Sequence, residues 1–374
     1  MYKQETRAVH AGTRFDKGTQ GTNSPVYTST AMGYLDSGVS YPRYFNTRNQ
    51  QAVADKIAAL ENTESALVFS SGMAAISSAL FAFLKTGDHI IFQKGLYGGT
   101  TNWMEKELRK FGIEFTVAEG NTTDDFEKAR QKNTKILYIE TPSNPLLAIT
   151  DIEEAAGFAK ANHLISAIDN TFASPANQNP ADFGIDLVIH SATKYLGGHS
   201  DICAGAVAAS KEHIAQIRET ALNLGGSLDA QTCYLLERSI KTLFVRVNQQ
   251  NQNAAAIAEF LSQHAAVNKV FFPGLASHKG HKIARKQMKG FGGMLSFELK
   301  DPNIVSFQKK LKLIQPAISL GGVDTIITAP TLTSHKLLSD NEKKQEGITD
   351  KLLRLSVGIE NAEDLISDLK QALE

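Results

Sequence analysis

The sequence lacks the features that mark several protein classes. It has only two cysteines in 374 residues, Cys203 and Cys233, which makes a disulfide framework improbable. The 39 basic and 39 acidic residues cancel without forming a long block of one sign, so the electrostatic signature of a nucleic-acid-binding protein is missing. The N-terminus shows no apolar signal-peptide core. We therefore expect small-molecule chemistry in a reducing cytoplasm, with no nucleic-acid partner and no bound metal.

One stretch, residues 65–84, carries no charge and has the length of a membrane-spanning helix. However, its first half is a short β-type run that ends at Ser70, Ser71 and Gly72, and only its second half has helical character. We expect a buried strand, a turn and a helix, with no membrane association.

Between about residues 50 and 210, short apolar runs alternate with helical patterns, which predicts an α/β fold with a mostly parallel sheet and flanking helices. After a polar helical segment at 245–262, isolated strands predict a smaller α+β domain, closed by a helix with Asn361 as its N-cap. The charged segment 339–347 is expected to be a solvated loop or helix end. The proposed division is an extended arm contacting a neighbouring subunit, a large cofactor-binding domain and a small C-terminal domain, at 1–48, 49–245 and 246–374.

The strongest local motif is SATKYLGGH, which runs from Ser191 to His199 and directly follows an apolar strand. Its Lys194 therefore lies at the end of a strand, where open α/β sheets place their ligands. Hydroxyls precede this lysine and two glycines follow it, which supplies hydrogen bonds for a phosphate and room for close approach of a ligand. The pattern fits a lysine that forms a Schiff base with a cofactor, although an ordinary surface lysine is compatible with it.

Asp169 ends the run LISAID, so its carboxylate is expected at the same sheet edge as Lys194. Pyridoxal 5′-phosphate (PLP) needs such an acidic partner, because a carboxylate keeps the pyridine nitrogen protonated and strengthens the ring as an electron sink. The alternative is an aspartate that only caps the turn through Asn170 and Thr171. Together with Lys194, Asp169 favours PLP.

Two further turns support a phosphate-bearing planar ligand. Residues 70–73 (SSGM) lie between a strand and a helix start, where free N–H groups and the helix dipole favour an anion, although a Ser-Gly turn is often only a cap. No GxGxxG or Walker A pattern occurs in this turn, which argues against a dehydrogenase or a nucleoside triphosphate enzyme. Tyr97 follows the next strand and is suited to stack on a planar ring or to pack a turn.

Arg354 lies on the strand LLRLSVG among apolar neighbours, where an unpaired guanidinium is costly to bury. It therefore needs an anion. Both an internal salt bridge and bidentate capture of a substrate carboxylate meet that need.

Together these motifs resemble the cystathionine γ-synthase and γ-lyase family of PLP-dependent enzymes, fold type I. The resemblance extends from ETRAVHAG at 5–12 to RLSVGIE at 354–360. It implies a mostly parallel seven-stranded sheet flanked by helices, a smaller C-terminal α+β domain, PLP as cofactor, and a homodimer or homotetramer with a shared active site.

The resemblance also assigns roles to individual residues. Lys194 would carry the cofactor and serve as the general base, and either it or Tyr97 would assist the leaving group. Other cofactor contacts would come from the phosphate residues Ser71, Gly72, Met73, Ser191 and Thr193, from the ring residues Tyr97 and Asp169, and from Tyr41 and Arg43, which would reach the phosphate of a neighbouring subunit. The substrate would be bound by Asn144, Ser319 and Arg354. A non-catalytic PLP binder has no need for Arg354, Asn144 and Tyr97 together.

Several positions depart from the family pattern. The segment 41–48 (YPRYFNTR) stands where Asn-Pro-Thr is usual, and Asp324-Thr325 replaces Glu-Ser, which is expected to alter contact with the far amino group of cystathionine. Gly99 replaces the cysteine of methionine γ-lyases, and Ser319-Leu320 lacks the tryptophan of β-lyases. We expect a carbon–sulfur lyase that performs γ-elimination on L-cystathionine, with cystathionine γ-synthase and homocysteine or methionine γ-lyase as alternatives.

Overall fold

The computed structural model describes residues 2–36, 38–333, 336, 343 and 346–374. Its large domain contains seven strands. They are β1 Ser65–Phe69, β2 His89–Phe92, β3 Glu114–Val117, β4 Thr134–Glu140, β5 Ile165–Asp169, β6 Leu187–His190 and β7 Gly205–Ala209. These strands form one sheet in the order β1-β7-β6-β5-β4-β2-β3. β7 pairs antiparallel with β1 and β6, and the other pairs are parallel. The predicted mostly parallel sheet is confirmed.

Helices cover the sheet and connect its strands. The α-helices are α1 Gln4–His10, α2 Arg48–Glu61, α3 Gly72–Phe81, α4 Gly98–Lys106, α5 Thr123–Ala129, α6 Ile152–Ala161, α7 Ser174–Asn177, α8 Lys211–Leu224, α9 Ala230–Ile240, α10 Leu243–Gln263, α11 His281–Gln287, α12 Ile304–Lys310 and α13 Ala362–Leu373. Apolar residues of α2, α6 and α9 pack on one face of the sheet, and those of α3, α4 and α8 pack on the other. Because both faces are covered, strands such as β2 and β7 are buried throughout and read as continuous apolar runs.

The uncharged stretch 65–84 divides as expected into a strand and a helix, β1 and α3. In the described part of the chain, no helix is long and apolar enough to cross a membrane.

The first residues differ from the prediction, because residues 4–10 are helical rather than extended. The helix α1 packs against the end of α2, where the last carbonyl groups have no partner inside their own helix. Gln4 Nε2 donates to Leu60 O at 3.1 Å and Arg7 Nη1 donates to Ala59 O at 2.5 Å. In return, Lys56 Nζ donates to Ala8 O at 3.0 Å. Helix α1 is thus held by its own chain, and contact of the arm with a second subunit stays a prediction.

The small domain has a sheet of five strands. They are β8 Val267–Phe271, β9 Met294–Leu299, β10 Gln315–Pro316, β11 Ile326–Thr328 and β12 Leu352–Ser356, in the order β10-β11-β12-β9-β8. The early residues of α10 belong to the large-domain core and its later residues to the small-domain core, so the proposed boundary at 245/246 falls inside this helix. Most of the segment 339–347 lies outside the described residues.

Candidate active site

A cavity of about 720 Å³ lies at the carboxyl edge of the large sheet, between the ends of β4–β6, the start of α3 and the small domain. It is lined by eleven of the thirteen predicted site residues. These are Ser71, Gly72, Met73, Tyr97, Asn144, Asp169, Ser191, Thr193, Lys194, Ser319 and Arg354. The residues come from chain segments as far apart as 71 and 354, and the fold brings them around one space.

Lys194 follows β6 and lies in the cavity, partly shielded from solvent. Its Nζ donates to Ser319 Oγ at 2.6 Å. Burial lowers the pKa of the Lys194 amine, and the positive charge of Arg354 lowers it further. Since a neutral amine is the form that attacks a carbonyl group or accepts a proton, this environment suits both roles of a cofactor lysine.

Asp169 is the last residue of β5, on the strand next to β6, so its carboxylate lies in the same cavity as Lys194. Its Oδ1 accepts a hydrogen bond from Thr171 N at 3.0 Å, which means that it also caps the turn. Burial raises the pKa of Asp169, while the hydrogen bonds from Thr171 and the nearby His190 oppose that rise. The turn cap is therefore confirmed, and the role as an acidic partner of PLP stays a prediction.

The turn before α3 approaches the Ser191 segment closely. Ser71 is the N-cap of α3 and its side chain accepts from Ala74 N at 3.1 Å. A Cβ atom on Gly72 would lie 2.9 Å from Ser191 Cβ, so glycine is needed for this approach. The first N–H groups of a helix lack intrahelical partners, which makes this junction a cradle for an anion such as phosphate. The hydroxyl of Thr193 also lines the cavity, but in this structure it bonds to the backbone of Ala204.

Arg354 is 5% exposed and lies in β12 on the small-domain side of the cavity. Its Nη1 donates to Asn144 Oδ1 at 2.7 Å and its Nη2 donates to Ser319 O at 3.0 Å, but its Nε is buried without a partner in the described residues. Burial lowers its pKa to about 10, with opposing contributions from Tyr195, Glu140 and Tyr97. No ion pair with a carboxylate forms within the described ranges. The guanidinium is therefore open to an incoming anion.

Ser319 connects Lys194 and Arg354, because its hydroxyl accepts from one and its carbonyl from the other. Its φ of +89° is unfavourable for a residue with a side chain and costs on the order of 1–3 kcal/mol. Such strain is often found at functional sites, where the surrounding structure holds the residue in place.

Tyr97 lies between β2 and α4, with 45% of its surface exposed, and its ring packs over Gly99. A side chain at position 99 would collide with Tyr97 Cε1 unless the ring moved. Tyr97 N donates to Glu140 Oε2 at 2.7 Å, which fixes the backbone of this turn.

Glu140 is a cavity residue that was not predicted from the sequence. It ends β4 in register with Asp169, lines the cavity and is buried. Burial raises the pKa of Glu140, and the neighbouring charge of Asp169 raises it further. The signal was present, since the apolar run KILYIE ends in an acid just as LISAID does. Other cavity residues to which the sequence assigned no role are Ile76, Phe172, Cys203, Ile318, Thr328, Leu332 and Thr333.

Two of the thirteen predicted site residues and the pair Asp324-Thr325 do not line the cavity. Tyr41 and Arg43 lie outside it, and Arg43 Nη1 donates to Leu222 O at 2.6 Å. Asp324 and Thr325 do not line the cavity of their own chain, and their expected effect on the substrate stays a prediction. Thr325 is instead buried and bonded to Glu360, with its N donating to Oε1 at 2.6 Å and its Oγ1 donating to Oε2 at 2.8 Å.

Known PLP-dependent enzymes are similar to this chain along nearly its whole length. A family model described as Cys/Met metabolism PLP-dependent enzyme matches residues 5–374. The cystathionine β-lyase of Lactococcus lactis subsp. cremoris (strain MG1363) is 44% identical over 100% of both chains. The L-methionine γ-lyase of Fusobacterium nucleatum subsp. polymorphum is 42% identical over 100% of this chain and 98% of its own. The crystal structure of cystathionine γ-lyase from Lactobacillus plantarum complexed with L-serine matches with a TM-score of 0.95 and 39% identity, covering 99% of this chain and 98% of the other.

Proposed function

Because the chain belongs to the PLP-dependent enzymes of Cys/Met metabolism, we propose that it is a carbon–sulfur lyase that cleaves L-cystathionine by γ-elimination. The products are cysteine, 2-oxobutanoate and ammonia. The observation that carries the proposal is the meeting of Lys194, Asp169 and the unpaired guanidinium of Arg354 around one cavity.

When bound, PLP supplies an electron sink for the bonds at the substrate Cα. In the proposal, Lys194 holds its aldehyde carbon and Asp169 its pyridine nitrogen. The start of α3 fits its phosphate, since the helix terminus and the close approach of Gly72 to Ser191 form the anion cradle described above. The remaining contacts come from the phosphate residues Ser71, Met73 and Thr193 and from the ring of Tyr97.

Arg354 binds the α-carboxylate of the substrate, which supplies the anion that the buried guanidinium lacks. Asn144 and Ser319 keep the guanidinium in place through the two hydrogen bonds already described. The Lys194 amine takes the Cα proton, and its lowered pKa favours the neutral form needed for that task. A second proton leaves Cβ before the γ-sulfur departs, and Tyr97 or Lys194 delivers a proton to that sulfur. Water then releases the amino group as ammonia and leaves 2-oxobutanoate.

One observation favours a second candidate, β-elimination of cystathionine to homocysteine, pyruvate and ammonia. The relative from Lactococcus lactis with 44% identity is named a cystathionine β-lyase. Against it, Ser319-Leu320 lacks the tryptophan that is common in β-lyases, which by the family resemblance favours γ chemistry. γ-Replacement by a synthase and γ-cleavage of homocysteine or methionine would use the same residues, and the Fusobacterium relative is named an L-methionine γ-lyase.

The proposal includes a homodimer or homotetramer in the cytoplasm. Arg43 and Tyr41 lie outside the cavity of their own chain, which is compatible with a contact to the phosphate of a neighbouring subunit. Both cysteines are free, as a reducing compartment requires.

Product analysis on the purified holoenzyme tests the function. One sample receives L-cystathionine alone and a second receives an O-acylhomoserine with cysteine. Cysteine and 2-oxobutanoate from the first sample support the γ-lyase. Homocysteine and pyruvate from the first would replace it with a β-lyase. Formation of cystathionine in the second sample, with almost no turnover in the first, would replace it with a γ-synthase.

A further inference from the structure

A buried carboxylate, that of Glu61, contacts the chain at the ends of β5 and β6, next to residues that line the cavity. Glu61 is the last residue of α2 and is 0% exposed. Its Oε1 lies 2.5 Å from His190 Nε2 and accepts from Asn170 Nδ2 at 3.0 Å. Both partners are also buried.

The two partners of Glu61 are next to the proposed cofactor residues in the chain. Asn170 directly follows Asp169, and His190 ends β6 just before the segment that carries Lys194. Thus one carboxylate joins the two strand ends from which the proposed pyridine and aldehyde contacts extend. A second link, from Ser191 N to Thr171 Oγ1 at 2.8 Å, ties the same two segments together.

Glu61 does not line the cavity itself. Side chains alternate along a strand, and Val188 belongs to the core on the α2 face while Ala167 belongs to the core on the opposite face. His190 therefore faces α2, whereas Asp169 faces the α3 side, where the cavity lies. Any effect of Glu61 on the cofactor must act through Asn170 and His190 and the backbone that joins them to the cavity residues.

Stability alone is a poor reason for a carboxylate at this position. A negative charge at the C-terminal end of a helix is disfavoured by the helix dipole, and Glu61 Oε2 is buried without a partner in the described residues. Buried ion pairs generally contribute little net stability compared with apolar packing, and they are better explained where they fix one arrangement of the chain.

We propose that Glu61 is a positioning residue that holds the segments carrying Asp169 and Lys194 at the spacing PLP requires, through its contacts with Asn170 and His190. This inference rests on the assignment of Asp169 and Lys194 to the cofactor in the proposed function. It does not depend on which sulfur compound is cleaved.

The test is a titration of apoenzyme with PLP, followed by absorbance, for wild type and Glu61→Gln. The glutamine keeps an acceptor for both partners but removes the charge that strengthens the two hydrogen bonds, so we expect the Kd for PLP to rise about tenfold. His89→Gln is the matched control, because His89 is also buried in this sheet and bonded at both ring nitrogens, to Thr134 Oγ1 at 2.8 Å and Thr116 Oγ1 at 2.9 Å. His89 is the first residue of β2 and lies at the amino edge of the sheet, opposite the cavity. We therefore expect His89→Gln to lower the Tm and to leave the Kd for PLP within about twofold of wild type.

A Glu61→Gln protein that binds PLP within about twofold of wild type would overturn the proposal, as would an equal loss of PLP affinity in His89→Gln. His190→Gln alters the other member of the Glu61–His190 pair and is expected to raise the Kd for PLP as well. This variant decides the question if Glu61→Gln fails to fold. Failure of the cofactor assignment is visible separately, since a Lys194→Ala protein would then retain PLP with wild-type affinity.

Discussion

Arg354→Lys is the substitution that tests most directly how the substrate is recognised. Lysine keeps the positive charge but loses the planar fork that binds a carboxylate through two parallel hydrogen bonds. It also cannot reproduce the paired contacts with Asn144 and Ser319 that orient the guanidinium. We therefore expect the substrate carboxylate to be held weakly and at a variable angle.

The expected loss follows from the number of contacts. A hydrogen bond to a charged group contributes about 1.5–3 kcal/mol, and lysine replaces a two-bond contact with one. Since about 1.4 kcal/mol corresponds to a factor of ten, kcat/KM for the preferred amino acid should fall about 10- to 100-fold. The Kd for PLP should stay within about twofold, because Arg354 is assigned to the substrate and not to the cofactor.

Arg246→Lys is the matched control for this experiment. Arg246 is also a buried arginine whose pKa is lowered to about 10 by burial, but all its contacts are internal. Its donors reach Tyr195 O, Ser239 O and Thr242 Oγ1, which leaves no unpaired nitrogen of the kind seen at Arg354 Nε. The control should lower the Tm with less than about a threefold change in KM.

The assay is steady-state kinetics with L-cystathionine, accompanied by PLP titration of each variant. A kcat/KM for Arg354→Lys within about threefold of wild type would refute the carboxylate assignment. Equal losses in the Arg354 and Arg246 variants would refute it too, because the effect would then reflect damage to a buried site in general.

Four further outcomes are expected. Lys194→Ala should abolish turnover and the absorbance of lysine-bound cofactor, and full turnover would exclude it as the cofactor lysine. In wild-type apoenzyme, the rate of PLP attachment should rise with pH around a midpoint below the ordinary lysine pKa of about 10.4, since burial lowers the pKa of Lys194; a midpoint at or above that value would contradict this. Arg43→Ala should weaken PLP retention during dialysis if it reaches a neighbouring subunit, and unchanged retention would count against a shared site. Gly99→Cys should displace the ring of Tyr97 and lower kcat, and unchanged kinetics would show that the ring position is not critical.

Much of the site was predictable because it depends on local patterns at strand ends. Lys194 and Asp169 each follow an apolar run, and parallel neighbouring strands deliver such residues to one edge of a sheet. Glu140 follows the same rule, because it ends an apolar run and lies in register with Asp169. It was not predicted, because the sequence pattern alone gave it no chemical role. In these cases the sequence pattern and the tertiary position are directly linked.

Other features depend on contacts between distant segments. The sequence predicted that Arg354 needs an anion. Only the fold shows that its hydrogen-bond partners within the chain are Asn144, 210 residues away, and the carbonyl of Ser319. The helix α1 likewise depends on carbonyl groups at the end of α2, so the local sequence alone did not indicate it. The contact of Thr325 with Glu360, 35 residues away, is a further pairing that only the fold shows.

The architecture also explains why the leaving group is the hardest property to infer. The proposed cofactor residues lie on ends of large-domain strands, whereas part of the cavity wall comes from small-domain residues such as Ile318 and Leu332, which are 73% and 54% exposed. Substitutions in such a wall alter the space for the far end of the substrate without disturbing the residues proposed for Cα chemistry. Relatives with nearly the same identity to this chain, 44% and 42%, bear the names of different lyases, as this separation leads one to expect. Identity along the chain therefore supports the cofactor chemistry, and we expect substitutions at wall positions such as Ile318 and Leu332 to change the ratio of β- to γ-elimination products.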